Sequence, residues 1–181
     1  MKGYNSRMSS LINSVIGKTY RNLIKPVLFR INADTVHEMI LNLGEGIGNE
    51  NSLKKILAFL LVKKDSLLKQ KVCGINFSSP VGLAAGFDYE AKLTQVLPFL
   101  GFGFQTVGTI TAFPYDGNTR PMLGRLPKSK SLMVNKGFKN LGADKTIRKL
   151  DGLSFKIPVG ISIGRTNSLV LQTQKQSVND I

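Results

Sequence analysis

The sequence predicts an α/β fold, with short parallel strands alternating with helices behind a helical amino-terminal extension. Three observations predict it. Apolar runs of strand type at residues 81–84, 104–107 and 159–163 each end in small residues: Ala84-Ala85-Gly86, Gly108-Thr109 and Gly164. Segments of helical pattern separate these runs, at residues 91–100 and 143–150. About the first seventy residues carry apolar side chains at helical intervals instead. Small residues at the carboxyl end of a parallel strand bring a flat ligand close to the backbone. In a (β/α)8 barrel that end of the strand carries the active site.

Taken in order, residues 1–10 read as flexible and residues 11–29 as a helix that Pro26 kinks or breaks. A second helix starts near Asp34, an acceptable N-cap, and is stopped by Gly44, Gly46 and Gly48. A third, at residues 53–61, is strongly apolar and flanked by lysines. Residues 71–77 form a small hairpin with Gly74 near its turn, placed to close a barrel floor. The first strand, residues 81–84, leads to a helix over 91–100, broken locally by Pro98. The second strand leads into residues 111–137, a loop too long and too rich in proline and glycine to be a mere connection. A helix at 143–150 and the third strand follow, and Ile181 falls in what is expected to be the helix after that strand. No internal repeat or low-complexity tract interrupts it.

Five ordered segments carry a resemblance: PVGLAAGFD from Pro80, GFGFQTVGTIT from Gly101, the loop GN-x-RP-x-L-x-RLP from Gly117, NKGFKNLGAD from Asn135 and PVGISIG from Pro158. Together they resemble the first three βα units of dihydroorotate dehydrogenase, a flavin-dependent barrel that oxidises dihydroorotate in pyrimidine synthesis. Upstream, Asn32-Ala33-Asp34-Thr35-Val36-His37-Glu38 resembles the helix opening of the quinone-dependent class. The resemblance implies a partial (β/α)8 TIM barrel at residues 66–181. It implies a membrane-associating, quinone-side helical extension at residues 1–65. A complete barrel needs about 250 residues, whereas residues 71–181 number 111. The expectation is a truncated chain; the rival is a small three-layer domain completed by an oligomer.

Composition bounds the partners. An apolar content of 42% is ordinary for a globular protein and argues against disorder. Cys73 is the one cysteine, which excludes an intramolecular disulfide and a zinc cluster; a buried apolar role is expected for it. No run reaches the length of a membrane span, and no signal peptide pattern is present. The net charge of +14 calls for an anionic partner: nucleic acid, anionic lipid or an anionic small ligand. Residues 1–30 hold Lys2, Arg7, Lys18, Arg21, Lys25 and Arg30 and no acid, beside Leu11, Val15, Leu23 and Val27. Such a segment is either the solvated face of a packed helix or a membrane-surface helix. The resemblance, through quinone, favours a peripheral site on the cytoplasmic face of a membrane. Aromatic-basic interleaving of RNA-reading type is missing, so nucleic acid ranks below lipid.

The resemblance assigns FMN as cofactor and dihydroorotate, orotate and quinone as partners. It implies that Ala84, Ala85 and Gly86 let the flavin ring pack on backbone and that Thr109 hydrogen-bonds the ring. Three positions depart from the family. Tyr89 stands where relatives have a lysine that contacts flavin and orotate; Lys92, one helical turn on, is a candidate to reach over. Asn135-Lys136-Gly137-Phe138 replaces Asn-Arg-x-Gly-Phe, the substrate-holding segment. Either the loop is one residue shorter with Asn135 in the asparagine's role, the preferred reading, or Val134 takes its place. Ser162 replaces a flavin-bound asparagine, and Arg165 replaces a common lysine. The framework residues around these positions are intact, so a divergent branch is preferred over a decaying gene.

No catalytic residue is expected within this chain. The quinone class uses a serine base after strand four, and the flavin phosphate sits on turns after strands seven and eight, all beyond Ile181. His37 reads as a capping or packing residue, and Asp180 is the carboxylate nearest after the third strand. Two function classes follow: an enzyme segment without turnover of its own, or a basic membrane- or nucleic-acid-binding module that keeps a relic of the barrel.

Overall fold

The computed structural model describes residues 2–63, 65–167 and 173–180. Helix α1 (Lys2–Thr19) runs through a π-helical turn (Tyr20–Ile24) into α2 (Lys25–Leu28). The expected irregular start is therefore helical from Lys2, and Pro26 does not break the helix. Pro26 lies in the first turn of α2, where its missing N–H costs little. The turn before it widens, so that the Lys25 N–H reaches back to the Tyr20 carbonyl.

Helix α3 (Ala33–Asn49) is capped by Asn32, whose side chain accepts from the Asp34 N–H at 2.8 Å. Asp34 is thus not the cap. It is buried, and its carboxylate instead accepts from the Met122 N–H at 3.1 Å. The three glycines do not stop α3; they lie within it. A Cβ at Gly44 would come within 2.3 Å of Leu93 Cδ2, and one at Gly48 within 3.2 Å of Gln95 Cβ. Both glycines let α3 press against residues 93–96. Helix α4 (Asn51–Leu61) follows after Glu50.

Strands β1 (Gln70–Val72) and β2 (Ile75–Phe77) form the expected hairpin in the register Gln70↔Phe77 and Val72↔Ile75. Cys73 and Gly74 occupy its turn with φ of 48° and 81°, the pair of left-handed residues that a two-residue hairpin demands. That turn position leaves Cys73 exposed, against the expected buried role.

Strands β3 (Gly82–Leu83), β4 (Phe104–Ile110) and, later in the chain, β7 (Val159–Ile163) form a parallel sheet in the order β3-β4-β7. The sheet is the parallel α/β core that the apolar runs predict. The segment after β3 departs from expectation. No α-helix covers residues 91–100; one 3-10 turn, Leu97–Leu100, does. Asp88 explains the difference. Its buried carboxylate accepts from the Lys92 N–H and Leu93 N–H, each at 2.8 Å, and from Gln105 Nε2 at 2.6 Å. Ala91 takes a φ of 55°, so the chain turns around the carboxylate rather than coiling.

Residues 111–137 also hold more order than a loop. Within them, β5 (Leu123–Leu126) pairs antiparallel with β6 (Ser131–Val134). Helix α5 (Ala143–Leu150) lies where predicted, and α6 (Gln174–Asn179) opens with a capping box from Thr173. One apolar cluster gathers Leu41 of α3 with Tyr89, Leu93, Val96, Leu97 and Ile157; a second joins Ala91, Val107 and Ile110 beneath α5. Ion pairs of Glu38 with Arg120 and of Glu45 with Lys149 fasten α3 across both the β5–β6 region and α5. The extension and the sheet therefore share a core, which brings His37 to the strand tips.

Candidate functional site

A cleft of about 270 Å³ opens at the carboxyl ends of the parallel strands, lined by Ala85, Gly86, Tyr89, Gly108, Thr109, Val134, Lys136, Phe138 and Lys139. One wall is backbone. Ala84, Ala85 and Gly86 are exposed at the tip of β3. The Gly86 N–H donates to the Gly108 carbonyl at 2.7 Å, which ties that tip to β4. Gly86 has a φ of 98°, and a Cβ there would meet nothing within 4 Å; the bare backbone faces open space. Across β4 and β7, the hydroxyls of Thr109 and Ser162 are hydrogen-bonded at 2.9 Å. Two residues that the sequence selects from separate motifs thus meet at neighbouring strand ends.

The opposite wall is made of side chains. Tyr89 is buried, and Lys136 Nζ lies 4.2 Å from its ring centroid. Lys136 Nζ also lies 2.8 Å from His37 Nδ1, while His37 Nε2 lies 2.8 Å from the Phe87 carbonyl. A carbonyl only accepts, so Nε2 carries the ring proton and Nδ1 accepts from the lysine. The imidazole packs edge-on against Phe87 at 4.7 Å and tilts against Tyr89 at 5.7 Å. Lys139 Nζ contacts Glu38 at 3.5 Å and lies 5.7 Å from the Tyr89 ring centroid.

Burial sets the protonation states of this wall. Burial first, then the adjacent Lys136, holds His37 below its usual range. Burial, then Lys139, lowers Lys136 to about 8. Burial and the nearby Glu90 push the Tyr89 phenol well above its usual range, so it stays protonated. Glu38 goes the other way: partial burial would raise it, but Lys139 and Arg120 hold it low. The result is a neutral imidazole, a soft lysine cation and a protonated phenol around one face of the cleft.

The residues singled out from sequence divide between the cleft and other places. Lys92 does not reach the cleft; its ammonium is held by Glu90 at 2.9 Å and Asn42 at 2.8 Å. The one-turn spacing that suggested it presumed a helix that Asp88 replaces with turns. Asn135 accepts from Asn118 Nδ2 at 2.8 Å, while Val134 lines the cleft. Gly137 takes a φ of 68° beside Asn118, and Phe138 lines the cleft with a φ of 62°. Arg165 donates to Ser177 at 3.1 Å. Asp180 accepts both the N–H and the hydroxyl of Thr166 and so serves the packing of α6. His37 is the residue that sequence reading undervalued. It lies 99 positions from its lysine, and no local signal joins the two.

Among the described residues, no group of three or more His, Cys, Asp or Glu side chains is arranged to hold a metal ion. No described helix is long and apolar enough to cross a membrane.

Comparison with known proteins meets this geometry. Residues 67–180 match the family model described as dihydroorotate dehydrogenase. The dihydroorotate dehydrogenase (quinone) of Chloroflexus aurantiacus is 41% identical over 165 residues, 89% of this chain and 45% of that protein. The protein of the same name from a Mycobacterium species is 37% identical over 145 residues, 80% of this chain and 41% of that one. Among solved structures, the ligand-free DHODH of Eimeria tenella superposes with a TM-score of 0.63 at 29% identity, over 81% of this chain and 40% of that chain. The ferulenol complex of the same enzyme gives 0.60 at 30% identity, over 74% and 36%. The chain spans a little under half the length of the curated relatives it matches. A match over 89% of the sequence takes in both walls of the cleft and the helix that carries His37, more than any shared motif would explain: the chain belongs to the dihydroorotate dehydrogenase family.

Proposed function

We propose that this chain carries the flavin-ring and substrate walls of a quinone-linked dihydroorotate dehydrogenase, on the first three βα units of a (β/α)8 barrel. The observation that supports this reading most is the cleft itself, with bare strand tips on one side and cationic side chains on the other. Its residues fit an isoalloxazine ring. Exposed Ala84, Ala85 and Gly86 offer backbone without bulk, and the Thr109 and Ser162 hydroxyls offer hydrogen bonds at the strand ends. Bound there, FMN supplies the two-electron acceptor for the hydride that leaves dihydroorotate. Tyr89, Lys136 and Phe138 form the substrate side, with Asn135 and Gly137 holding the loop that presents Lys136 and Phe138.

Proton removal needs a base, and among the described residues the cleft wall offers none that is free at neutral pH, where Lys136, lowered to about 8, still carries its proton. Both nitrogens of His37 are engaged, and the Tyr89 phenol is held protonated. This chain by itself is therefore expected to hold FMN weakly and not to turn dihydroorotate over. Residues 1–65 form the quinone-side extension. Leu11, Val15, Leu23, Val27, Ile56 and Phe59 are exposed on its helices, near Lys18, Arg21 and Lys25. That pattern suits a peripheral site on an anionic membrane surface.

The test is flavin fluorescence with the purified full chain. Quenching of FMN by the wild type, lost in Ala85→Phe and unaccompanied by dye reduction with dihydroorotate, is the expected result. Ala85 is exposed, so the variant fills the cleft without disturbing the core. Equal quenching by both proteins, or none by either, overturns the reading. Flotation of the chain with phosphatidylglycerol vesicles, weakened in Phe59→Glu, tests the membrane part.

A further inference from the structure

We infer that Lys136, held in place by His37, supplies the cationic contact for an anionic ligand in the cleft, and that His37 is its positioning residue. This rests on the function proposed above and names the groups through which the substrate's carboxylate class is recognised. At position 89, where the resemblance expects a lysine, the chain has tyrosine, and Lys92 is committed to Glu90 and Asn42. A positive charge reaches the same place from the far side of the chain. Lys136 Nζ lies 4.2 Å from the centroid of the Tyr89 ring and lines the cleft.

Counting protons fixes the roles. An ammonium has three N–H groups and no acceptor. One is directed at His37 Nδ1 at 2.8 Å, and the Tyr89 ring face takes another side of the ammonium. The remaining donor is available to the cleft. His37 can accept only because its Nε2–H is given to the Phe87 carbonyl, which selects the tautomer. The second cation, Lys139, is drawn to Glu38 instead. Among the described residues, the groups that act on Lys136 are Asp34, His37 and Glu38 from α3, Tyr89 and Glu90 after β3, and Lys139 on its own loop. Lowered to about 8 by burial and then Lys139, Lys136 sits where an incoming anion shifts its protonation strongly.

The experiment follows the lysine side-chain signals of the full chain, labelled with ¹³C-lysine, against pH; Lys136→Met identifies the signal by its loss. Without ligand, the Lys136 midpoint is expected near 8. It falls by about half a unit or more in His37→Leu, which removes the acceptor, and is restored in His37→Asn, whose Oδ1 replaces Nδ1. A midpoint indifferent to His37→Leu in a folded variant overturns the positioning role. With FMN and orotate added to the wild type, the midpoint rises by about a unit. Lys136→Met then weakens orotate binding about tenfold or more, and Lys139→Met by less than about threefold. Orotate that binds without moving the Lys136 signal overturns the inference and leaves the proposed function standing. If neither FMN nor orotate binds, the proposed function fails, while the ligand-free titration still decides the role of His37.

Discussion

The two walls of the cleft are built by opposite means. The wall at the β3, β4 and β7 tips is main chain and small residues, held by strand pairing and by the Gly86-to-Gly108 hydrogen bond. The facing wall is long side chains, His37, Tyr89, Lys136 and Lys139, brought together from α3, the turn after β3 and the loop after β6. The first has little freedom to change without unfolding. The second can exchange residues as long as the charge arrives; Tyr89 and Lys136, two of the positions where the resemblance expects other residues, stand on it, while Ser162 stands on the first. Shape comes from backbone geometry and charge from whichever side chain can reach.

The largest expected effect comes from breaking the main-chain wall. Gly108 has a φ of 108°, and an added Cβ would lie 2.7 Å from the Ser162 carbonyl oxygen and 2.8 Å from the Ile110 nitrogen. Both neighbours are backbone and cannot rotate away. Gly108→Ala is expected to cost about 3 kcal/mol of stability, read as a lowered urea midpoint at unchanged slope. A variant as stable as the wild type would mean that the strand tips are soft, and the contrast between the walls would lose its basis.

A smaller effect sharpens the contrast from the other side. The Lys136 ammonium is lowered from 10.5 to about 8 in the folded protein by burial and then Lys139. Between those values the unfolded chain binds more protons than the folded one, so this group makes stability rise with pH across that window. Below about pH 8 the folded protein carries the whole cost of the cation. The stability difference between the wild type and Lys136→Met is therefore expected to move in favour of the wild type from pH 8 to 10.5. The slope falls short of the ~1.4 kcal/mol per pH unit of one fully coupled proton, because the ammonium is only half-buried and solvent screens it. Taking the difference removes Tyr89, whose raised phenol acts in the opposite sense above pH 10. A flat difference would show that the lysine is solvated and that its wall is no tuned site.

The main-chain wall and three members of the side-chain wall, Tyr89, Lys136 and Phe138, were legible in the sequence; what joins that wall together was not. Strands β4 and β7 and helix α5 follow from local periodicity, Ala84-Ala85-Gly86 from its small residues at a strand end, and Thr109 and Ser162 from the match of their short motifs to the family. Each of those signals lies within a few residues of the group it identifies. His37 with Lys136, by contrast, is a contact across 99 positions that exists only because α3 packs on the β5–β6 region through Asp34 and Met122. Lys92 shows the converse error. Local helical spacing pointed it at the cleft, but the long-range bond from Gln105 to Asp88, with Asp88's hold on the Lys92 and Leu93 amides, turned the segment away. The buried Asp88 carboxyl is itself raised by burial, against the pull of those donors, and nothing in its sequence neighbourhood announces that it will be buried.

The smallest effect tests how rigidly α3 presents His37. Gly44, Gly46 and Gly48 looked alike as helix stops, yet they differ in the fold. A Cβ at Gly46 would meet nothing within 4 Å, whereas one at Gly44 would lie 2.3 Å from Leu93 Cδ2 in the core. Gly46→Ala is therefore expected to stabilise the protein by about 0.5–1 kcal/mol through helix propensity alone. Gly44→Ala gains the same propensity and loses it to the displaced Leu93 side chain, so it should end below Gly46→Ala and at or below the wild type in thermal melting. With α3 pushed from residues 93–96, His37 also withdraws from Phe87 and Lys136, and the Lys136 midpoint should fall in Gly44→Ala but not in Gly46→Ala. Equal melting temperatures and equal midpoints in the two variants would mean that α3 slides freely over the core, in which case the side-chain wall is assembled by the ligand rather than by the fold.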